Sequence, residues 1–265
     1  MKPERFLATH WLFTRAELVE HLRPGSRSTA TVDSHLARWR REGRIARVKQ
    51  GLFLRLDPPG EPRTYAPDFH ALASRMAPDA ALAHHTALEI LGHAQSLFER
   101  LTFVTWTKTK PMTYEGRRFV PVRPRASLLA ADGGERWIER TERSGVEVRV
   151  TNLERTVADV LDRPGLSGGT DEVWRSLSSI PALDLRLLEG YVVALRSRTL
   201  AAKVGFFLES RREELVVTES LLDRLRALAP SGPVYLDRRR GGRLVSRWGL
   251  VVPTEFVPGT QGEPV

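Results

Sequence analysis

TRAELVEHLRPG (residues 14–25), SRSTATVDSHLARWRREG (26–43) and RIARVKQGLFLRL (44–56) run on without a break, and together they decide the fold of the first part of the chain. Thr14 and Glu17 stand at capping-box spacing, the hydroxyl able to accept from the Glu17 N–H while the carboxylate reaches back. Ala16, Leu18, Val19 and Leu22 follow at helical spacing until Pro24-Gly25 stops the helix. Residues 26–29 supply a turn and the next N-cap. The second helix places Val32, Leu36 and Trp39 at i, i+4 and i+7, and Gly43 closes it. Residues 45–48 and 52–56, joined by Lys49-Gln50-Gly51, read as a β-hairpin. A short, partly apolar helix over 5–11 precedes them. Helix, turn, helix and basic hairpin is the order of a winged helix-turn-helix.

Charge points the same way. Residues 1–56 hold twelve Lys/Arg and five Asp/Glu, a net of +7, out of +9 for all 265 residues. A basic module on a nearly neutral body suits a polyanion, which gains by releasing counterions to clustered cations. With Val32, Leu36 and Trp39 assigned to the core, Thr31, Ser34, His35, Arg38 and Arg41 are left on the polar side of the second helix, and Ser28 sits at its start. Those residues are the candidates for base edges and phosphates in a major groove. Arg47, Lys49 and Gln50 are the candidates for backbone or minor-groove contact from the hairpin. A solvated helix face would display the same residues.

Composition bounds the remainder. Apolar residues make up 41% of the chain, enough for a core and two domains. No apolar run is long enough to span a bilayer and the first residues lack a signal-peptide core, so the expected location is the cytoplasm. The absence of cysteine excludes disulfides, thiol catalysis and Cys-ligated zinc. Lysines number five, so arginine carries most of the basic charge.

The expected organisation is α+β: a winged helix-turn-helix over 1–56, a Pro/Gly-rich linker over 57–67, and a larger mixed α/β C-terminal domain over 68–265 ending in a β-hairpin. Helices are expected at 68–76 and 82–91, and strands at 101–106, 119–122 and 146–150. Thr151-Asn152-Leu153-Glu154 should cap a helix carrying Leu153, Val157, Val160 and Leu161. A helical block over 171–228 is broken near 179–181 and 197. The final hairpin is read as 234–236, a turn at Gly241-Gly242, and 244–252.

Several stretches carry a family resemblance. Phe13-Thr14, Arg38-Trp39-Arg40-Arg41-Glu42-Gly43 and Val48-Lys49-Gln50-Gly51-Leu52-Phe53 resemble the N-terminal domain of AbiEi-type antitoxins of bacterial type IV toxin–antitoxin systems. In the body, His84-His85-Thr86-Ala87-Leu88-Glu89-Ile90-Leu91-Gly92 and Val150-Thr151-Asn152-Leu153-Glu154-Arg155-Thr156 are similar landmarks. So are Ala202-Lys203-Val204-Gly205-Phe206-Phe207-Leu208-Glu209 and Trp248-Gly249-Leu250-Val251-Val252-Pro253. The resemblance covers nearly the whole chain. It implies a transcriptional repressor of its own operon whose C-terminal domain counters a nucleotidyltransferase-like toxin encoded next door, with or without a stable complex. The implied partner is double-stranded operator DNA, on repeated half-sites because one winged helix offers few base contacts. Lys49-Gln50-Gly51 departs from the family's more usual Arg-Gly tip but keeps it polar and basic.

Other constellations are weighed on their own chemistry. His85, Glu89 and His93 share a helical stripe that could present metal ligands, but Gly92 interrupts it and no fourth ligand is evident, so it reads as a polar helix face. Arg155 and Asp159 at i, i+4 read first as a structural ion pair, with a binding role as the alternative. Lys203 lies in an apolar run, to snorkel or to pair with an acid. Arg238, Arg239, Arg240 and Arg243 form a second basic surface, for a polyanion, a toxin or self-association. No metal or cofactor is expected. No lysine has an acid two residues before it, no two aspartates stand at D-x-D spacing, and the nucleophile-elbow, zincin and P-loop patterns are missing, so an enzyme is not expected. The alternatives are an effector-sensing general regulator and, behind it, a DNA-acting enzyme with scattered residues.

Overall fold

A computed structural model describes residues 3–22, 30–57 and 66–257. The chain opens with α1 (Pro3–Thr9), β1 (Leu12–Thr14), α2 (Arg15–Leu22), α3 (Ala30–Arg41), β2 (Ile45–Lys49) and β3 (Leu52–Arg55). β3 lies between β1 and β2 and is antiparallel to both. Strand side chains alternate between faces, and both faces of this sheet are used. Phe13, Ile45 and Phe53 face the helices and cluster with Phe6, Leu18, Val32, Leu36 and Trp39. Leu12, Val48, Leu52 and Leu54 face the other way, into a cluster with Ala71, Leu72, Leu82, Leu101 and Phe103 of the body. The hairpin is therefore docked on the body. Each buried leucine there contributes about 1.5–3 kcal/mol relative to exposure.

The body begins with α4 (Phe69–Ser74), β4 (Ala81–Leu82), α5 (His85–Leu91), β5 (Arg100–Val104), β6 (Met112–Tyr114), β7 (Arg117–Val122), β8 (Ile138–Arg143) and β9 (Val146–Thr151). Its six strands form one mixed sheet in the order β6-β7-β5-β4-β9-β8, with β5/β7 and β4/β9 parallel and the other pairs antiparallel. Five helices follow: α6 (Leu153–Asp162), α7 (Thr170–Ser178), α8 (Leu185–Leu195), α9 (Arg198–Ser210) and α10 (Glu219–Leu228). They bury Val157, Leu188, Leu200, Phe207 and Leu222 with the last short strands, β10 (Val234–Tyr235), β11 (Arg243–Val245) and β12 (Leu250–Val252). Side-chain caps mark the starts: Asn152 accepts from the Arg155 N–H at 3.0 Å, and Asp184 accepts from those of Arg186 and Leu187. The architecture is a mixed α/β one of the α+β kind. No helix among the described residues is long and apolar enough to cross a membrane.

Four expectations are corrected. The helix at 82–91 starts only at His85, because Ala81–Leu82 pair with β5 and β9. β6 and β8 have no counterpart among the expected strands: β8 reads IERTER, an edge strand whose side chains beyond Ile138 are exposed and mostly charged, so it shows no apolar alternation. The helical block also breaks at 211–218. The final hairpin is not 234–236 against 244–252, since β10 pairs parallel with β12 while β11 is the antiparallel partner. Residues 244–252 fold back on themselves because Trp248 is pulled inward: it is buried, and its Nε1 donates to Glu209 at 2.6 Å. Gly249 at φ +57° completes that turn.

Candidate nucleic-acid interface

The capping box at α2 is formed as expected. The Thr14 N–H donates to Glu17 Oε2 at 2.6 Å and the Glu17 N–H to Thr14 Oγ1 at 3.2 Å. This fixes the entry of α2, and its first residue, Arg15, clamps Asp33 in the first turn of α3 with bonds of 2.8 and 2.7 Å. That hydrogen bond and the Arg15 charge hold the Asp33 carboxyl below the usual range.

α3 buries Val32, Leu36 and Trp39, and Gly43 at φ +65° follows it as the Arg44 N–H closes on the Trp39 carbonyl at 2.9 Å. Ser34, Arg38 and Arg41, at i, i+4 and i+7, are exposed on the opposite side, with Thr31 also exposed. His35 departs from this strip. It is half-buried and stacked beside Trp39, ring centroids 5.8 Å apart. Ser28 and the turn ahead of α3 lie outside the described residues.

In the hairpin, a bulge between Arg47 and Lys49 separates two side chains that an unbroken strand would put on one face. Arg47 stays exposed, and so does Gln50, while Gly51 at φ +77° makes the turn. Lys49 turns toward the body, where its Nζ donates to the Met76 carbonyl and burial pushes its pKa down. A side chain already holding a carbonyl in a half-buried position is a poor primary phosphate contact, so Lys49 is corrected on that point.

Glu4 carries no motif in the sequence, yet it organises the cations around α3. It accepts from Arg38 at 2.9 Å, Arg44 at 2.6 Å and Trp39 Nε1 at 3.3 Å. The bond from Arg44, with Arg38 and Trp39 adding to it, holds the carboxyl below its ordinary range. Arg38 is therefore occupied by an exposed ion pair, which is cheap to break. Arg40, Arg41 and Arg47 are exposed and make no ion pair among the described residues.

The body constellations have structural explanations. Arg155 is buried, donating to Gly134 O at 3.1 Å and Asp159 at 3.4 Å, and it lies over the Tyr191 ring. Tyr191 donates to Asp159 at 2.7 Å, and burial raises its pKa well above 10. This is the expected structural tie, joining α6 to the loop ahead of β8. The cavity beside it, also bordered by His84, measures about 20 Å³, room for about one water. His84 itself has a strained backbone at φ +56°, a buried Nδ1 with no partner, and a pKa lowered by burial.

The polar stripe on α5 is corrected. His85 is buried, stacked on Phe98 at 3.9 Å and bonded to Ser96 O, while Glu89 takes His70 Nε2 at 2.6 Å. Among the described residues no three His, Asp or Glu side chains are placed to hold a metal ion. Lys203 neither snorkels nor pairs: its buried Nζ donates to the Leu161 carbonyl at 3.0 Å. Arg238–Arg240 and Arg243 lie between and on β10 and β11, rather than at a hairpin tip. Arg240 is tied to Asp171 and Glu255, whereas Arg238, Arg239 and Arg243 are exposed.

The fold has a counterpart. It is similar to that of the RV2827C protein from Mycobacterium tuberculosis, with a TM-score of 0.59 over 94% of this chain and 89% of that one, at 16% identity. At that identity the likeness is one of architecture, and it extends over nearly the full length of both chains. No protein-family model and no curated protein matches this chain.

Proposed function

We propose that this protein is a bacterial DNA-binding repressor whose first 56 residues act as a winged helix-turn-helix, with α3 as the recognition helix and the β2–β3 hairpin as the wing. The observation that carries this is the outward strip Ser34, Arg38 and Arg41 on a helix whose other side is fully committed to the core. It is flanked by Arg40 and Arg47, which make no ion pair among the described residues, in a segment of net charge +7. Arginine forks on an exposed helix suit guanine edges and phosphates in the major groove. Thr31 and Gln50 would add polar contacts, and Ser28, outside the described residues, remains a candidate from the sequence.

The resemblance to AbiEi-type antitoxins extends the proposal. The protein would sit on repeated half-sites upstream of its own gene, and its body would oppose a neighbouring nucleotidyltransferase-like toxin. It would act in the cytoplasm, without catalysis and without a cofactor.

Arg41→Ala tests the base-reading strip. It should weaken operator binding by about 1–3 kcal/mol while changing scrambled-DNA binding less. Equal losses on both DNAs would remove Arg41 from base reading and leave it a phosphate contact. A second reading, an effector-sensing regulator, is favoured by a groove of about 700 Å³ bordered by Trp174, Phe207 and Phe256 with Arg175 and Glu214. That size and aromatic lining suit a small ligand. Its sign would be a metabolite that shifts operator affinity.

A further inference from the structure

Three of the chain's five lysines, Lys49, Lys108 and Lys110, border one cleft. It measures about 330 Å³ and runs between the β2–β3 turn and the loop that leaves β5.

The loop is held in place. Asp79 accepts from Thr105 Oγ1 at 2.5 Å, from the Trp106 N–H at 2.6 Å and from the Thr107 N–H at 3.3 Å. The Thr109 hydroxyl turns back to the Thr107 carbonyl at 3.1 Å. Lys108 and Lys110 are exposed on this pinned segment, and neither makes an ion pair among the described residues. Two unneutralised cations on an ordered loop are pre-arranged for an anionic partner, with little ordering cost left on binding.

Contacts place that loop at the working end of the head. Arg15, at the start of α2, clamps Asp33 in the first turn of α3, and its N–H donates to Gly51 O in the hairpin turn at 2.8 Å. Glu17, in the same turn of α2, pairs with Arg75 of the body at 3.1 Å. The next residue, Met76, takes Lys49 and lines the cleft. The first turns of α2 and α3, the hairpin turn and the lysine loop are thus joined contact by contact. In helix-turn-helix proteins it is the N-terminal part of the recognition helix that meets the bases.

We propose that Lys108 and Lys110 form a second phosphate contact, so that duplex DNA seated on α3 continues past the hairpin turn and is held just outside the half-site by the body. This rests on the DNA-binding reading above. It also gives the docking of the sheet on the body a use: Leu12, Val48, Leu52 and Leu54 fix the angle between the recognition helix and the lysine loop, and with it the spacing of the two contacts.

The test is fluorescence-anisotropy titration of the full chain and of Lys108→Ala/Lys110→Ala, across a salt series. Operator and scrambled duplexes would each be used long and trimmed to the half-site. A matched control, Arg186→Ala/Arg226→Ala, removes the same charge from exposed positions on α8 and α10. Leaving two phosphates without a cation should flatten the slope of log K against log salt by about 1.8 and weaken both long duplexes alike, by about 10- to 100-fold near 0.1 M salt. The control should leave the slope unchanged, and the loss should shrink on trimmed duplexes. An unchanged slope in the lysine variant, with wild-type binding intact, overturns the second contact and leaves the DNA-binding reading standing. An equal change in the control also overturns it, because bulk charge is then the cause. Failure of the wild-type chain to bind any duplex at low salt overturns both.

Discussion

Glu4→Gln should raise DNA affinity. The carboxylate lies against Arg38 and Arg44 at 2.9 and 2.6 Å and also accepts from Trp39 Nε1. On the proposed DNA-binding reading it therefore ties up, in the free protein, one member of the strip on α3 and places a negative charge beside the phosphates that strip would meet. Two effects add. Releasing exposed ion pairs of this kind returns about 0.2–1 kcal/mol that DNA would otherwise have to replace. Removing a charge about 10 Å from a phosphate removes a repulsion of about 0.4 kcal/mol in water, less after screening. The sum, about 0.5–1 kcal/mol, is roughly a 2- to 5-fold gain in affinity. Glutamine keeps an acceptor for Trp39, so the fold should survive with little loss. The assay is anisotropy with the operator duplex at about 0.1 M salt and again near 0.5 M, where the Debye length falls well below 10 Å and the gain should fade. An unchanged or lower affinity at low salt, with the melting temperature retained, would refute the placement of Glu4 beside the proposed DNA-contacting face.

Other predictions follow from packing and charge. Gly205→Ala in α9 gains about 1 kcal/mol of helix propensity, but a Cβ there would overlap the buried Trp248 ring. Overpacking costs of about 1–3 kcal/mol should win, giving a lower urea midpoint, and adding Trp248→Leu should make the Gly205→Ala change less costly. His84 has its pKa lowered by burial, with Asp159 pulling against that shift and Arg163 and Arg155 adding to it. The unfolded chain then takes up the proton first as pH falls through about 6.5, so stability should drop there by up to about 1.4 kcal/mol per pH unit. His84→Asn should lose part of that slope in urea titrations at pH 7 and 5.5, and an identical slope would exclude His84 as its source. Arg47→Ala should flatten the DNA salt dependence by about 0.9 for each phosphate that Arg47 neutralises. Lys49→Met should change it less, since Lys49 is already held by Met76. The reverse ranking would restore Lys49 as the wing contact.

What was legible in the sequence was local. The Thr14–Glu17 box, the Val32-Leu36-Trp39 stripe and a helix cap within 151–154 are set by spacing within one or two helical turns, and each formed, the last through Asn152. Charge put the exposed arginines of α3 in view for the same reason. What failed depended on distant partners. Lys49 looks like a wing-tip cation until Met76 is brought to it, and the α5 stripe looks polar until Phe98 and Ser96 cover His85. The strand IERTER carries no apolar period, because an edge strand with one solvent face and many charges needs none. The path of residues 244–252 depends on Trp248 packing against Gly205 and bonding to Glu209, two stretches that look unrelated in sequence. Glu4 and the cleft with Lys108 and Lys110 arise only when segments from the start, the hairpin and the body meet.

The most direct measurement is anisotropy binding of the full chain to DNA from upstream of its own gene against scrambled DNA of equal length, from about 50 to 300 mM salt. A sequence-reading repressor should prefer its own upstream DNA by about tenfold or more, and should keep that preference as salt rises while both affinities fall. Equal affinities with equal steep salt slopes would make the head a nonspecific anchor, and no binding at the lowest salt would contradict the repressor function outright.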